Sequence, residues 1–174
     1  MSDLSYPIGK FVAQTTNTQS ERAERIARLD LTPSHLREAI AGLSEEQIET
    51  PYRPEGWTVR QTVHHVADSH INSFVRFKLA LTENEPTIKP YAEELWAELE
   101  DGRQADHEIS LRLLEAVHQR WTILLRSLSA EAFARTLRHP EAGVMSLDVM
   151  LQLYDWHGRH HIAHITSLRQ RNGW

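Results

Sequence analysis

Apolar positions recur along this chain at helical rather than strand spacing. Val59, Val63, Val66, Phe74, Phe77 and Leu81, with His70 among them, follow a three–four rhythm that puts them on one face of a helix predicted from about Thr58 to Leu81. The same rhythm carries Leu111, Leu114, Val117, Trp121 and Leu125 through a helix from about Glu108 to Leu128. Leu147, Met150, Tyr154, Ile165 and Leu168 mark a last helix from about Leu147 to Arg171, with Ser146 as its N-cap and a stop near Gly173. A first helix begins in the low 20s. Proline suits a first helical position, so Thr32–Pro33 predicts a break and restart near "LTPSHL". Leu36, Ile40 and Leu43 continue at helical spacing, and Ser44 with Gln47 fits a capping box that opens a short turn.

Alternating Val/Ile/Thr runs are few, so no strand is needed. "TENEPTIKPY" and "RHPEAGVMS" read as loops, "AEELWAEL" as a short helix, and residues 1–20 as an irregular arm. Four long helices joined by loops imply one all-α domain over residues 1–174, an antiparallel four-helix bundle with a short extra helix.

Composition narrows the chemistry. There is no Cys, so any metal must be held by His, Asp or Glu. The net charge of −5, with both signs interspersed, argues against a nucleic-acid partner. "MSDLSYPIGKF" lacks the pattern of a signal peptide, and no apolar run approaches the roughly 20 residues of a membrane span. The expectation is a soluble cytoplasmic domain without a membrane partner.

Seven of the 11 histidines crowd into "VHHVADSH" (His64, His65, His70) and "YDWHGRHHIAHI" (His157, His160, His161, His164). Residues four apart share a helix face, so the last helix offers the pairs His157/His161 and His160/His164. On the helical wheel His157 and His161 fall inside the apolar stripe, His164 near its edge and His160 further out, toward Trp156. A lone inward His is usually a hydrogen-bonded core residue. Two inward imidazoles need partners, and one ion satisfies both. A third ligand would come from the helix at 58–81, where His70 lies on the main stripe, His64 on a weaker apolar side and His65 on a more polar one. The wheel leaves that choice open.

Three neutral imidazoles around an ion with an open position match a catalytic zinc site, although nickel and iron also accept imidazole. Water activated there, its pKa lowered to about 7, could attack a carbonyl or similar centre. Asp68, three residues after His65, could orient the imidazole or a water, and His164 could assist. Asp155 reads as solvated. HExxH, a Gly-rich phosphate loop and GxSxG are all missing.

With "YPIGKF", "TPYRPEGWTVRQTVHHVADSHINSFVRFKLALTE", "IKPY", and "HHIAHI" leading to the final "GW", nearly the whole chain resembles the DinB/YfiT-like family of metal-dependent hydrolases, in its YfiT branch. The resemblance implies a four-helix bundle holding one divalent metal per chain, Zn2+ or Ni2+, in a cytoplasmic homodimer. It places one ligand at His65, in a pattern like HxAD, with His64 as the rival. The other two fall on His157 and His161, with His164 trailing. It implies hydrolysis of a small molecule. Other branches of the superfamily use low-molecular-weight thiols, so the alternatives are a metal-dependent thiol S-transferase, with Arg60, Arg76 or Arg159 meeting the thiol's carboxylates, and a non-catalytic metal-binding module.

Overall fold

The computed structural model describes residues 4–14 and 17–174; residues 1–3 and 15–16 of the expected arm lie outside the described residues. Four long helices, α1 (Gln19–Ile40), α3 (Val59–Thr82), α6 (His107–Arg126) and α8 (Leu147–Asn172), build a four-helix bundle. Short helices α2 (Glu45–Ile48), α4 (Glu93–Trp96), α5 (Glu100–Gln104) and α7 (Ala130–Phe133) lie in the connections. So does an antiparallel hairpin of β1 (Thr136–His139) and β2 (Gly143–Ser146).

Local chemistry sets the helix starts. Thr18, Ser44 and Thr58 form capping boxes with Glu21, Gln47 and Gln61, and Ser146 caps α8 by accepting from the Val149 amide. α8 ends at Gly173, whose φ of 71° needs a residue without Cβ. The expected loop "RHPEAGVMS" is the hairpin, because Thr136–His139 and Gly143–Ser146 pair in register without a Val/Ile-rich run.

α1 and α3 each pack against both α6 and α8, so these two consecutive long helices sit diagonally across the bundle. Arg37 reaches Glu108 while Arg126 reaches Asp30, so α1 and α6 are antiparallel. α3 and α8 are antiparallel too, with His65 beside His161 and Ser69 beside Tyr154. α1 and α8, however, run parallel, as Arg22–Asp148, Arg28–Asp155 and Arg169 on the Ala39 carbonyl show. α3 and α6 run parallel as well, pairing His64 with Ser110 and His70 with His118. A crossover over residues 83–106, carrying α4 and α5, makes that parallel pair possible.

The core is divided. One apolar cluster contains Leu29, Phe77, Trp121 and Leu151, and a second contains Leu36, Val63, Leu114 and Ile165. Each long helix passes from one cluster to the other through a polar stretch: Thr32 on α1, His70 on α3, His118 on α6, His157 and His161 on α8. The bundle therefore carries a transverse polar layer.

The expected break at Thr32–Pro33 does not occur; α1 is continuous with Pro33 inside it. Packing against two neighbours holds the helix through the missing amide, which would otherwise bond the Leu29 carbonyl four residues back. Asp155 is also not solvated. Its carboxylate is fully buried, bridged by Arg28 at 2.8 and 3.0 Å, and approached by Arg159 at 3.3 Å and Arg25 at 3.5 Å. Two of these arginines come from α1, so the charges that repay its burial are invisible along α8 itself.

At Gly158 α8 lies tight against α1. A Cβ there would stand 2.7 Å from Thr32 Cγ2 and 3.1 Å from Thr32 Oγ1. Thr32 has little room to turn, because Oγ1 donates to the Arg28 carbonyl at 3.2 Å. Gly158→Ala should lose about 1–3 kcal/mol to this overlap, against roughly 1 kcal/mol of gained helix propensity. In urea unfolding, Gly158→Ala combined with Thr32→Ala should be less destabilised than the sum of the two single variants.

Candidate metal centre

His157 and His161 sit one turn apart on α8, facing α3, and His65 faces back from α3. The His65 and His157 Nε2 atoms are 3.3 Å apart, and the ligand atoms of all three imidazoles lie within 4.8 Å of one another. Ligands about 2.0–2.1 Å from a tetrahedral ion lie about 3.3–3.4 Å apart, so the His65–His157 separation already matches one edge of such a site. His161 Nδ1 is buried without a hydrogen-bond partner among the described residues. A buried imidazole nitrogen without a partner costs free energy, which a ligand bound to that nitrogen would remove. The residues present fit a three-imidazole cation site.

All three imidazoles are held neutral, as metal ligands must be. Burial pushes His65 down to about 4 and carries His157 and His161 well below the usual imidazole value, the neighbouring rings adding to the effect. Trp57 covers the group, 4.4 Å from the His65 ring and 6.3 Å from His161. Beyond it opens a cleft of about 780 Å³, walled by Tyr6, Tyr52, Glu94, Glu98 and Trp156 among others. Gln61 ties its roof to α3, donating to the Ala97 carbonyl and to Glu98 Oε1, both at 2.9 Å. A second cavity of about 590 Å³, with Tyr91 and Arg76 in its walls, reaches His157 from the other side of Glu93–Leu95. The N-terminal arm brings Tyr6 to the cleft. The Gln152 side chain pins it by accepting from the Gln14 amide at 2.8 Å and donating to the Gln14 carbonyl at 3.1 Å.

The remaining candidates have definite places. His64 points away from the group, with Nδ1 on Ser110 Oγ at 2.7 Å and Nε2 on the Ala105 carbonyl at 3.1 Å. His164 lines the cleft but pairs with His160, Nε2 to Nε2 at 3.0 Å, and stacks on Tyr52 at 4.0 Å. Asp68 is half-buried and makes no hydrogen bond to the three imidazoles among the described residues. Burial, then the Asp101 charge, pushes it up to about 6. Arg60 is occupied by Glu45, Glu49 and the Ala105 carbonyl, and Arg159 by Asp155. Arg76 donates to the Lys89 carbonyl.

Sequence reasoning missed His118. It is buried on α6 and faces His70, Nε2 to Nδ1 at 2.7 Å. The rhythm Leu111, Leu114, His118, Trp121, Leu125 would have found it, had His been allowed in the stripe in place of Val117.

No helix among the described residues is long and apolar enough to cross a membrane. The DinB superfamily profile matches residues 28–165. Over 174 residues, all of both chains, the sequence is 53% identical to a Bacillus cereus protein named "Putative metal-dependent hydrolase". The solved structure of YfiT from Bacillus subtilis, described as "a probable metal-dependent hydrolase with an unusual four-helix bundle topology", superposes with a TM-score of 0.96 at 48% identity over 98% of each chain. The mycothiol-dependent maleylpyruvate isomerase shares the fold, with a TM-score of 0.66 at 18% identity over 83% of this chain and 60% of that one.

Imidazoles held below their unfolded value near 6.5 bind fewer protons in the folded chain, so stability is present above pH 6.5 and lost as pH falls toward 4. His65, His118 and His160 at about 4 and His164 at about 3 all act in that direction. Asp68 and Glu93, both raised by burial, oppose them, Asp68 gaining stability as pH falls through 6. For the metal-free protein, thermal melts should therefore show Tm falling by roughly 5 °C or more between pH 7 and pH 5.

Proposed function

We propose that this chain, which belongs to the DinB superfamily, is a metal-dependent hydrolase whose ion is held by His65, His157 and His161. The observation that carries the reading is the 3.3 Å separation of two imidazole Nε2 atoms, with a third imidazole in reach and an open cleft beside them. These residues would hold one divalent ion, Zn2+ or Ni2+, which would supply the Lewis acidity and water activation for hydrolysis of a small molecule.

The protein's own groups prepare that chemistry. Three neutral imidazoles add no negative charge, which leaves the full cationic charge to polarise a substrate oxygen. Trp57 shields two of the rings from bulk water. Ser69 Oγ, 3.5 Å from His157 Nε2 and donating to the Tyr154 hydroxyl at 3.4 Å, lies against the ligand pair. No separate general base is required. His164 lies on the cleft wall, where we assign it an assisting role, and Asp68, raised to about 6, is the carboxyl we assign to proton exchange near neutral pH.

The cleft's charges support water over thiol as the co-reactant. Glu55, Glu93, Glu94 and Glu98 line it with Arg53, whereas the arginines expected to meet a thiol's carboxylates are occupied elsewhere or lie in the adjoining cavity. We place the protein in the cytoplasm as a homodimer; Ile109, Leu113 and Ile123 leave an exposed apolar stripe on α6 for a second copy.

Elemental analysis of untagged protein should find about one zinc or nickel per chain. His65→Ala/His157→Ala/His161→Ala should lose it, while Asp68→Asn and His164→Phe should keep it. Metal-free wild type that refuses both ions would overturn the reading. Cobalt-substituted protein titrated with low-molecular-weight thiols should show no thiolate charge-transfer band; such a band would favour the transferase.

A further inference from the structure

Behind the three imidazoles runs a line of hydrogen bonds that ends on backbone. His157 Nδ1 is 3.2 Å from His70 Nε2, His70 Nδ1 is 2.7 Å from His118 Nε2, and His118 Nδ1 is 2.6 Å from the Leu29 carbonyl oxygen. His70 and His118 are buried at the centre of the polar layer.

The line has one direction. A carbonyl oxygen only accepts, so His118 Nδ1 carries the proton. A neutral imidazole has one N–H, so His118 Nε2 is bare and accepts from His70 Nδ1–H. His70 Nε2 is then bare in turn and accepts from His157 Nδ1–H. His157 is left with its lone pair on Nε2, the atom that faces His65. Burial keeps the two inner rings neutral, as this count requires.

The carbonyl that starts the line is free for a covalent reason. In a regular helix it would accept from the amide four residues on, and that residue is Pro33, which has no N–H. We propose that Pro33 leaves the Leu29 carbonyl to anchor His118 and His70, two positioning histidines that hold His157 in the tautomer whose Nε2 can take the ion. The inference rests on the metal reading, and extends it to three residues on three other helices that touch no substrate. Partners of a ligating imidazole fix its orientation and raise its basicity, commonly through a carboxylate, carbonyl or water. Here the carbonyl acts through two intervening rings.

The test has two arms. Long-range 1H–15N spectra of metal-free protein should assign His118, His70 and His157 all as Nδ1–H tautomers. Finding His157 as the Nε2–H form would overturn the proposal whatever the metal content. Cobalt affinity, by competition with a chelator, should fall about 10–100-fold in His70→Phe and in His118→Phe. Pro33→Ala restores a competing amide to the carbonyl; it should fold at least as stably as wild type yet bind cobalt more weakly, a pairing that a purely structural role would not produce. Wild-type affinity in folded His70→Phe and in Pro33→Ala would overturn the relay and leave the metal reading intact. Wild type that binds no cobalt would overturn both.

Discussion

Burying imidazoles in a helical bundle is costly unless each ring stays neutral and its nitrogens find partners, and the layout of this molecule follows from that constraint. Apolar packing alone would have joined the two core clusters into one. Instead a layer of histidines crosses the bundle between them, supplied by α3, α6 and α8, with α1 offering a carbonyl. A buried polar atom without a partner costs about 1–3 kcal/mol, so such a layer is tolerable only when connected. The connections run inward to Leu29 and outward to the group of three rings whose remaining nitrogens suit a cation.

Helix direction serves the same end. Because α3 and α6 run parallel, His70 and His118 arrive at one level, and because α3 and α8 are antiparallel, His65 meets both His157 and His161. α1 runs beside α8, where Asp155 collects arginines from it. The buried carboxylate thus pins α8 next to the residue that begins the site.

Much of this was legible in the sequence. The stripes on α3, α6 and α8 showed three of the four long helices, and the wheel selected His157 and His161 as inward. His160, which it put further out, is buried as well, stacked on Trp156 and bonded to His164. His65 was not legible that way, since its position on α3 looks polar and becomes inward only through packing on two neighbours; the family resemblance supplied it. Pro33 misled because a proline is read from its own backbone, whereas packing holds this helix through it. Asp155 misled because its partners Arg25 and Arg28 are far away in the chain. The parallel pairs were hidden because direction depends on how crossovers travel. His118 was passed over because its neighbour Val117 fits nearly the same rhythm.

The spacing of histidines on α8 also has a consequence for registry. His160/His164 repeats the His157/His161 pattern three residues later, so α8 is nearly degenerate. A slide of about 4.5 Å with a modest rotation would offer α3 the other pair. What breaks the degeneracy lies on the far side of the helix, where Gly158 lets Thr32 approach in a way no other residue of that turn would allow. The smallest side chain on α8 thereby acts as its index mark.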